Sequence, residues 1–292
     1  MPIWDSVASA IRDATQRPFT VISASPIDGG SINEAYRLEG IDGTRYFVKL
    51  NDARHLAMFV AEIEGLKAIA STHTIHTPSP VTHGNFGGKS FLVLEYLELG
   101  YQGNEKLLGE QLAALHRCTG KDFGFNQDNF IGTTLQPNGC KESWIDFWCE
   151  HRLGFQLKLA VVNGYGGELQ RLGERLIIAL PAFFDSYMPQ ASLLHGDLWG
   201  GNHTYLKDGT PTIFDPAAYY GDRECDLAMT ELFGGYTGDF YAAYRDVYPL
   251  DEGYAVRKNI YNVYHILNHA NLFGGGYARQ AEGMMQRLLA EV

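Results

Sequence analysis

The spacing of the apolar residues changes along the chain, and this change constrains the fold more than any other feature. Between Phe19 and Leu50, short β-rich pieces alternate with turn signals such as Asp42-Gly43, a pattern typical of antiparallel strands. From 53 to 70 the apolar residues fall three or four positions apart, which predicts a helix with one apolar stripe. The segment 87–97 returns to a strongly apolar strand. These elements predict a small antiparallel sheet with one main helix.

Beyond a short polar linker at 100–104, the spacing is mostly helical. Helices are predicted at 106–118, 143–162 and 167–188, and from Arg223 onward. Two short strands, 192–198 and 211–216, are predicted on either side of a turn at 207–209. We therefore predict an α+β, bilobal fold, with a small N-terminal lobe over 1–98 and a larger, mostly helical lobe over 99–292.

The composition excludes several classes of protein. Of the 292 residues, 45% are hydrophobic and 20% are charged, as in a folded enzyme. The net charge is −11 and the chain has no Lys/Arg-rich run, so nucleic acids and anionic membranes are not expected partners. The longest mainly apolar stretch, 176–184, is far shorter than the roughly 20 residues that cross a bilayer.

The N-terminal residues and the cysteines predict a compartment. Residues 1–16 contain Asp5 and no long apolar core, which favours an amphipathic helix over a signal peptide. The four cysteines form no C-x-x-C pair, and we expect them to be reduced. A cytoplasmic protein, monomeric or weakly dimeric, is the expectation.

The most specific chemical signal is His195-Gly196-Asp197, followed by Asn202 and, at the end of a predicted strand, by Asp215. Phosphoryl transfer needs a carboxylate near the attacking hydroxyl and oxygen ligands for Mg²⁺. Asp197 suits the catalytic base, and Asn202 and Asp215 suit the metal. The spacing from Asp to Asn matches the H-R-D-L-x-x-x-N loop of protein kinases. The alternative is that these side chains only cap turns.

Lys49 is the one basic residue of an apolar strand, which favours a partnered lysine. In kinases such a lysine contacts the ATP phosphates and pairs with a helix glutamate. Glu62 and Glu64 are both candidates. Helical spacing favours Glu62, because it neighbours Phe59 on the apolar stripe. The alternative is a solvated lysine on an edge strand.

Two further segments are candidates for binding the nucleotide. Backbone N–H groups of Gly29, Gly30 and Ser31 could approach phosphate oxygens, although a plain hairpin turn explains the two glycines equally well. At the end of the apolar strand, the backbone of Glu95 and Leu97 could hydrogen-bond an adenine.

Polar and aromatic residues that could contact an acceptor occur in two places. His265 and His269 have a spacing that could chelate a metal on one helix face, but no third ligand accompanies them. With Asn268 nearby, a polar pocket wall is the preferred interpretation, and satisfied buried polar residues are the alternative. Trp199 could stack on a sugar or a cation, or pack under its loop.

Several strings of the sequence resemble segments of a known family. The strings FVAEIEGL, HGDLWGGN, FDPAAYYGDRECDLAM and LNHANLFGGGY are similar, in order, to segments of the fructosamine-3-kinase (ketosamine kinase) family. That family is a branch of the aminoglycoside and choline kinase-like, protein kinase-like fold. Trp199-Gly200-Gly201 and DPAAYYGDRE are the discriminating parts, because aminoglycoside and choline kinases lack them. The resemblance covers nearly the whole chain and also favours Glu62 over Glu64.

The resemblance implies ATP- and Mg²⁺-dependent phosphorylation of the O3 hydroxyl of ketosamines, whose products decompose and free the amine. The substrates would be small ketosamines or glycated protein lysines. A kinase for an aminoglycoside, choline-like or other amino-alcohol acceptor is the alternative. In this sequence, the resemblance implies that Asp197 is the catalytic base and that Asn202 and Asp215 bind the metal. It also implies that Lys49 and Glu62 contact ATP. The implied acceptor contacts are Trp199, Asn268 and His269.

Overall fold

A five-stranded antiparallel sheet organises the N-terminal part of the chain. The computed structural model describes residues 2–28, 32–100 and 102–292. In order along the chain the strands are β1 Val21–Ile27, β2 Glu34–Gly40, β3 Arg45–Asp52, β4 Pro80–Phe86 and β5 Lys89–Glu95. Their order in the sheet is β1-β2-β3-β5-β4. Gly87 and Gly88 join β4 to β5 with φ values of +58° and +82°, a left-handed turn that favours glycine.

Two helices, α1 (Pro2–Thr15) and α2 (Leu56–Ser71), cover the two faces of this sheet. Strand residues alternate between the faces. Val48 and Leu50 pack with α1, whereas Leu92 and Leu94 pack with α2. Because Lys49 lies between Val48 and Leu50 and pairs with Leu92, its side chain shares the face that α2 covers. A single-residue shift in β3 would therefore move Lys49 to the wrong face.

The remainder is mostly helical and has its own core. The helices are α3 Glu105–His116, α4 Trp144–Phe147, α5 Gly154–Val162, α6 Glu168–Ala179, α7 Glu224–Leu232, α8 Gly238–Val247, α9 Tyr254–Phe273 and α10 Tyr277–Leu288. A π-helical turn, Trp148–Leu153, separates α4 from α5, where the sequence predicted one continuous helix. Trp144, Trp148 and Tyr261 lie at the centre of the core with their rings in contact.

Six short strands form three two-stranded sheets among the described residues: β6 Asn129–Ile131 with β7 Thr134–Gln136, β8 Ser192–Leu194 with β11 Tyr219–Gly221, and β9 His203–Tyr205 with β10 Pro211–Ile213. The sequence placed strands at 192–198 and 211–216 on either side of the turn at 207–209. In the structure this turn instead joins β9 to β10. Strand β9 has too few apolar residues for the sequence to predict it.

The chain divides into two compact units. The first contains Met1–Asn104 and Thr204–Asp215, and the second contains Glu105–His203 and Pro216–Val292. The segment 204–215 joins the first unit because its backbone pairs there: Ile213 N–H donates to His76 O, and Lys207 N–H donates to Glu98 O. Assignment of nucleotide binding to 1–98 and of catalysis and acceptor binding to 99–292 remains a prediction.

No helix in the described part of the chain is both long enough and apolar enough to cross a membrane. All four cysteines are free thiols.

The packing of α3 against α8 gives a test of the second unit. A Cβ at Gly109 would lie 2.3 Å from the carbonyl oxygen of Phe240. We expect Gly109→Ala to lower the free energy of unfolding by about 1–3 kcal/mol, because the backbones must separate. Urea unfolding measures this. Gly276→Ala is the control, since nothing lies within 4 Å of a Cβ there. Equal stability of the two variants would contradict the tight contact.

Candidate active site

In the first unit, Lys49 bridges two carboxylates. Its Nζ lies 2.7 Å from Glu62 Oε1 and 2.5 Å from Asp215 Oδ1. The Lys49 side chain is 5% exposed and that of Glu62 is 12% exposed, so the alternative of a solvated lysine is wrong. Glu64, the other candidate partner, pairs with Lys67 on the exposed side of α2. Strand alternation and helix spacing thus bring Lys49 and Glu62 together, and the segment after β10 adds Asp215.

Burial and neighbouring charges both shift the pKa values of the side chains in this cluster. Desolvation alone would lower the pKa of Lys49, but the adjacent carboxylates of Asp215 and Glu62 raise it above its ordinary value. Desolvation also raises the pKa of Glu62 to about 7, since the favourable charge of Lys49 is opposed by the carboxylate of Asp215. Lys49 therefore stays protonated, while Glu62 titrates near neutrality.

Asp215 lies two residues beyond the end of β10, with a φ of +58°. Aspartate tolerates this left-handed conformation better than most residues. Its side chain remains 42% exposed although it contacts Lys49. A carboxylate that is held by a buried cation and still reaches solvent can also approach a bound metal ion.

Glu95 and Leu97 are the residues predicted to hydrogen-bond an adenine through their backbone. Glu95 is the last residue of β5, and its N–H donates to Ser79 O over 2.9 Å. Leu97 is half-buried, two residues further on. Gly29, Gly30 and Ser31 lie outside the described residues.

In the second unit, β8 leads directly into the loop that carries Asp197. Gly196 has a φ of +82°, and a Cβ there would lie 2.1 Å from Ala217 O, so this turn requires glycine. Asn202 is buried, and its Nδ2 donates to the backbone oxygen of Asp197 over 2.8 Å. This bond orients the Asn202 amide so that its Oδ1 atom points away from the Asp197 carbonyl, where Oδ1 can act as a metal ligand.

A residue that the sequence analysis missed holds this loop. Asp226, 1% exposed on α7, accepts hydrogen bonds from the backbone N–H groups of His195 and Gly196, at 2.7 and 2.8 Å. His116 Nε2 lies 3.1 Å from the same carboxylate. Burial would raise the pKa of Asp226, but the hydrogen bond and charge of His116, aided by the Gly196 N–H, lower it below its ordinary value. The sequence gives only a weak signal, an acid followed by the apolar residues Leu227, Ala228 and Met229.

Helix α9 carries the predicted acceptor residues. His265 is buried, and desolvation lowers its pKa to about 3, so it is neutral. Asn268 is buried and hydrogen-bonds Gln156 and Ile131 O. His269 is half-buried, and its Nδ1 atom is hydrogen-bonded to His265 O.

The described residues contain no group of three or more His, Cys, Asp or Glu side chains that could hold a metal. Trp199 is 42% exposed, and its ring also lies against its own loop, because a Cβ at Gly201 would be 2.2 Å from Trp199 Cη2.

Known proteins resemble the chain over its length. The fructosamine kinase family model matches residues 3–291. The chain belongs to the fructosamine kinase family. A probable ketoamine kinase of Synechocystis is 46% identical over 98% of this chain and 97% of that protein. The chloroplastic protein-ribulosamine 3-kinase of Arabidopsis thaliana is 40% identical, over 90% of this chain and 81% of the plant protein. The resemblance found in the sequence is therefore confirmed.

Solved structures confirm the fold. A Haemophilus somnus protein assigned as a fructosamine-3-kinase has a TM-score of 0.89 at 30% identity, covering 98% of this chain and 97% of that one. Amicoumacin kinase hAmiN, solved with AMP-PNP, Ca²⁺ and Ami, has a TM-score of 0.61 at 15% identity, covering 94% of this chain and 90% of that one. This second likeness shows the fold alone. Like these proteins, the chain has a kinase-like α+β architecture, and the relatives named above are phosphotransferases.

The cluster around Lys49 predicts opposite responses to two substitutions. Asp215→Asn should lower the pKa of Glu62 from about 7, because it removes a negative charge; Lys49→Met should raise it, because it removes the neighbouring cation. Carbon-13 NMR titration of the glutamate carboxyl carbons measures both shifts, and Glu62→Gln assigns the signal. Glu64→Gln is the control on the same helix. Shifts of the same sign in both variants would contradict the assigned causes.

The contact of Asp226 with the loop predicts a local effect. Asp226→Asn should lower the free energy of unfolding by about 3 kcal/mol, because the buried amide cannot accept from both backbone N–H groups and still serve His116. Hydrogen exchange at the amides of His195 and Gly196 should accelerate more than exchange in α9. The exposed Asp185→Asn of the same unit is the control. Uniform acceleration across the unit would contradict a specific anchoring role.

Proposed function

We propose that the protein transfers the γ-phosphoryl group of ATP to the O3 hydroxyl of ketosamines and so promotes release of the amine. The observation that supports this most is the buried Lys49, held between Glu62 and Asp215, in a chain of the fructosamine kinase family. A lysine held in this way suits the phosphates of ATP. The backbone of Glu95 and Leu97 and the backbone N–H groups of Gly29, Gly30 and Ser31 are the proposed further nucleotide contacts.

In the proposed reaction, Asp197 accepts the proton of the O3 hydroxyl. The O3 oxygen forms a bond to the γ-phosphorus while the bond between this phosphorus and the bridging oxygen breaks, and ADP leaves with that electron pair. A positioned base contributes about 10²- to 10⁴-fold to such a step. Lys49 stays protonated and neutralises charge on the phosphates, because its two carboxylate partners raise its pKa.

Asn202 and Asp215 are the proposed ligands for Mg²⁺. Both offer oxygen atoms, which Mg²⁺ prefers, and Mg²⁺ commonly takes only one or two protein ligands beside phosphates and water. The amide of Asn202 is oriented by its bond to the Asp197 carbonyl, and Asp215 is partly exposed, so the donor set fits. When bound, Mg²⁺ supplies charge neutralisation of the β- and γ-phosphates.

The acceptor is proposed to be a ketosamine, either free or on a protein lysine. Relatives named as ketoamine kinases and protein-ribulosamine 3-kinases support this substrate class. Trp199, Asn268 and His269 are the proposed acceptor contacts. We also propose that the protein acts in the cytoplasm, as a monomer or weak dimer, without nucleic acid or membrane partners.

The test is coupled ADP release with Mg-ATP against ribulosamine, fructosamine, an aminoglycoside and choline. Asp197→Ala should lower kcat by about 10²- to 10⁴-fold while calorimetric ATP binding changes little, because a base serves the transition state. Asp185→Ala is the matched control. Phosphorus-31 and proton NMR of the product should locate the phosphate on O3.

Turnover confined to an aminoglycoside or choline would replace the ketosamine proposal with the alternative acceptor class. Full activity of Asp197→Ala on ketosamines would refute the role of this carboxylate.

A further inference from the structure

The hairpin β6–β7 of the second unit carries two buried amide side chains that have no part in the proposed reaction. Asn129 begins the hairpin and Gln136 ends it, and the two residues are paired across it. Asn129 is 3% exposed and Gln136 is 1% exposed. A buried amide is costly unless its donors and its acceptor are satisfied, so two of them in a short hairpin indicate specific partners.

The partner of both amides is the backbone segment that runs beside the loop of Asp197. Asn129 Nδ2 donates to Ala218 O over 2.7 Å. Gln136 Nε2 donates to Asn129 Oδ1 over 2.7 Å and to Ala217 O over 3.1 Å. The hairpin therefore holds two consecutive carbonyl groups of this segment through side chains.

Ala217 connects the hairpin to the loop. Its N–H donates to His195 O over 2.9 Å, just beyond the last pair between β8 and β11. Its carbonyl oxygen lies 2.1 Å from the position of a Cβ at Gly196, so this oxygen packs directly against the glycine. Asp197 is the next residue of the chain. Ala217 thus lies between Gln136 and the backbone that leads into the proposed base.

The neighbours of the Gln136 amide determine its orientation. Tyr264 Oη donates to Gln136 Oε1 over 2.7 Å, so the oxygen of the amide faces α9. The nitrogen faces two acceptors, Asn129 Oδ1 and Ala217 O. A reversed amide would bring its oxygen against both of these acceptors, which costs free energy because buried oxygens would be left without donors. The orientation that satisfies all three neighbours is the one that binds the segment beside the loop.

We propose that Gln136 is a positioning residue for phosphoryl transfer, which acts through Ala217 on the backbone that carries Asp197. This inference rests on the proposed function, because it takes Asp197 as the base. A misplaced base slows the chemical step. The proposed ATP contacts Lys49 and Glu62 belong to the first unit, so ATP binding should not depend on Gln136. Loss of the Gln136 amide should therefore lower kcat and leave KM for ATP unchanged.

The experiment compares two substitutions that remove hydrogen bonds from the same buried network of the full-length protein. Gln136→Leu removes the bonds to Asn129 and Ala217, and it should lower kcat with Mg-ATP and a ribulosamine by about 10- to 100-fold. Tyr264→Phe is the matched control, because it removes the bond to Gln136 Oε1 and leaves those to Asn129 and Ala217. It should lower the melting temperature but keep kcat within about threefold of the wild type. All rates are measured well below the melting temperatures.

Gln136→Glu is the second variant, for the case that Gln136→Leu does not fold. It keeps the volume of the side chain and the acceptor for Tyr264. It leaves at most one donor for the two acceptors Asn129 Oδ1 and Ala217 O, so kcat should also fall while KM for ATP stays unchanged.

Hydrogen exchange gives a readout that needs no turnover. The Ala217 N–H, which is bonded to His195 O, should exchange about tenfold faster in the folded Gln136 variants and at the wild-type rate in Tyr264→Phe. Unchanged exchange at Ala217 in the Gln136 variants would overturn the proposal.

Two kinetic results would also overturn the positioning role. One is an equal fall in kcat in the Gln136 and Tyr264 variants, because a general loss of stability would then explain it. The other is a wild-type kcat in the Gln136 variants, with or without a change in KM for ATP. If the wild-type protein turns over no ketosamine, the proposed function is rejected instead, and exchange at Ala217 still decides whether Gln136 holds the segment beside the loop.

Discussion

The buried carboxylate of Asp226 determines the conformation of the segment that carries the candidate base. Two consecutive N–H groups, those of His195 and Gly196, point at one carboxylate, and this requires the chain to turn sharply as it leaves β8. Gly196 makes the turn possible because a side chain there would collide with Ala217 O. An anion in a nearly dry interior would be costly alone, but here it has two backbone donors and a histidine. The loop is thus anchored by its backbone, which leaves side chains for chemistry.

Further buried charges hold α7, the helix that positions Asp226. Arg257 donates from Nε and an η nitrogen to both carboxylate oxygens of Glu224, at 2.8 Å each, and both side chains are almost fully buried. Asp222, also buried, accepts from the hydroxyls of Tyr187 and Tyr261. Such pairs add little net stability compared with apolar packing, but breaking them is costly, so they favour one arrangement over others. This gives a physical role to the three acidic residues of the GDRECDLAM segment.

The sequence predicts the contacts that depend on local periodicity. The pairing of Lys49 with Glu62 follows from strand alternation and helix spacing, and the five-residue step from Asp197 to Asn202 follows from a recognisable loop. It does not reveal Asp226, because an acid near the start of a helix gives no sign of a partner 30 residues upstream. Nor does it reveal β9, because a strand of three residues is too short to show alternation. The π-helical turn at 148–153 is also missed, because one wide turn leaves the apolar spacing of the helix nearly unchanged.

Both candidate chemical groups follow three-residue strands that could not be stable alone. Asp197 follows β8 and Asp215 follows β10, and each residue of interest lies beside a left-handed backbone position, Gly196 in one case and Asp215 itself in the other. Glycine adopts such a conformation freely, whereas Asp215 keeps it only because its surroundings determine it. At Gly196 the determinant is the carboxylate of Asp226, and at Asp215 it is the ammonium of Lys49. In each unit a buried charged side chain fixes a short segment, the Asp226 carboxylate as an acceptor and the Lys49 ammonium as a donor. This explains how little regular structure is needed to position the candidate residues.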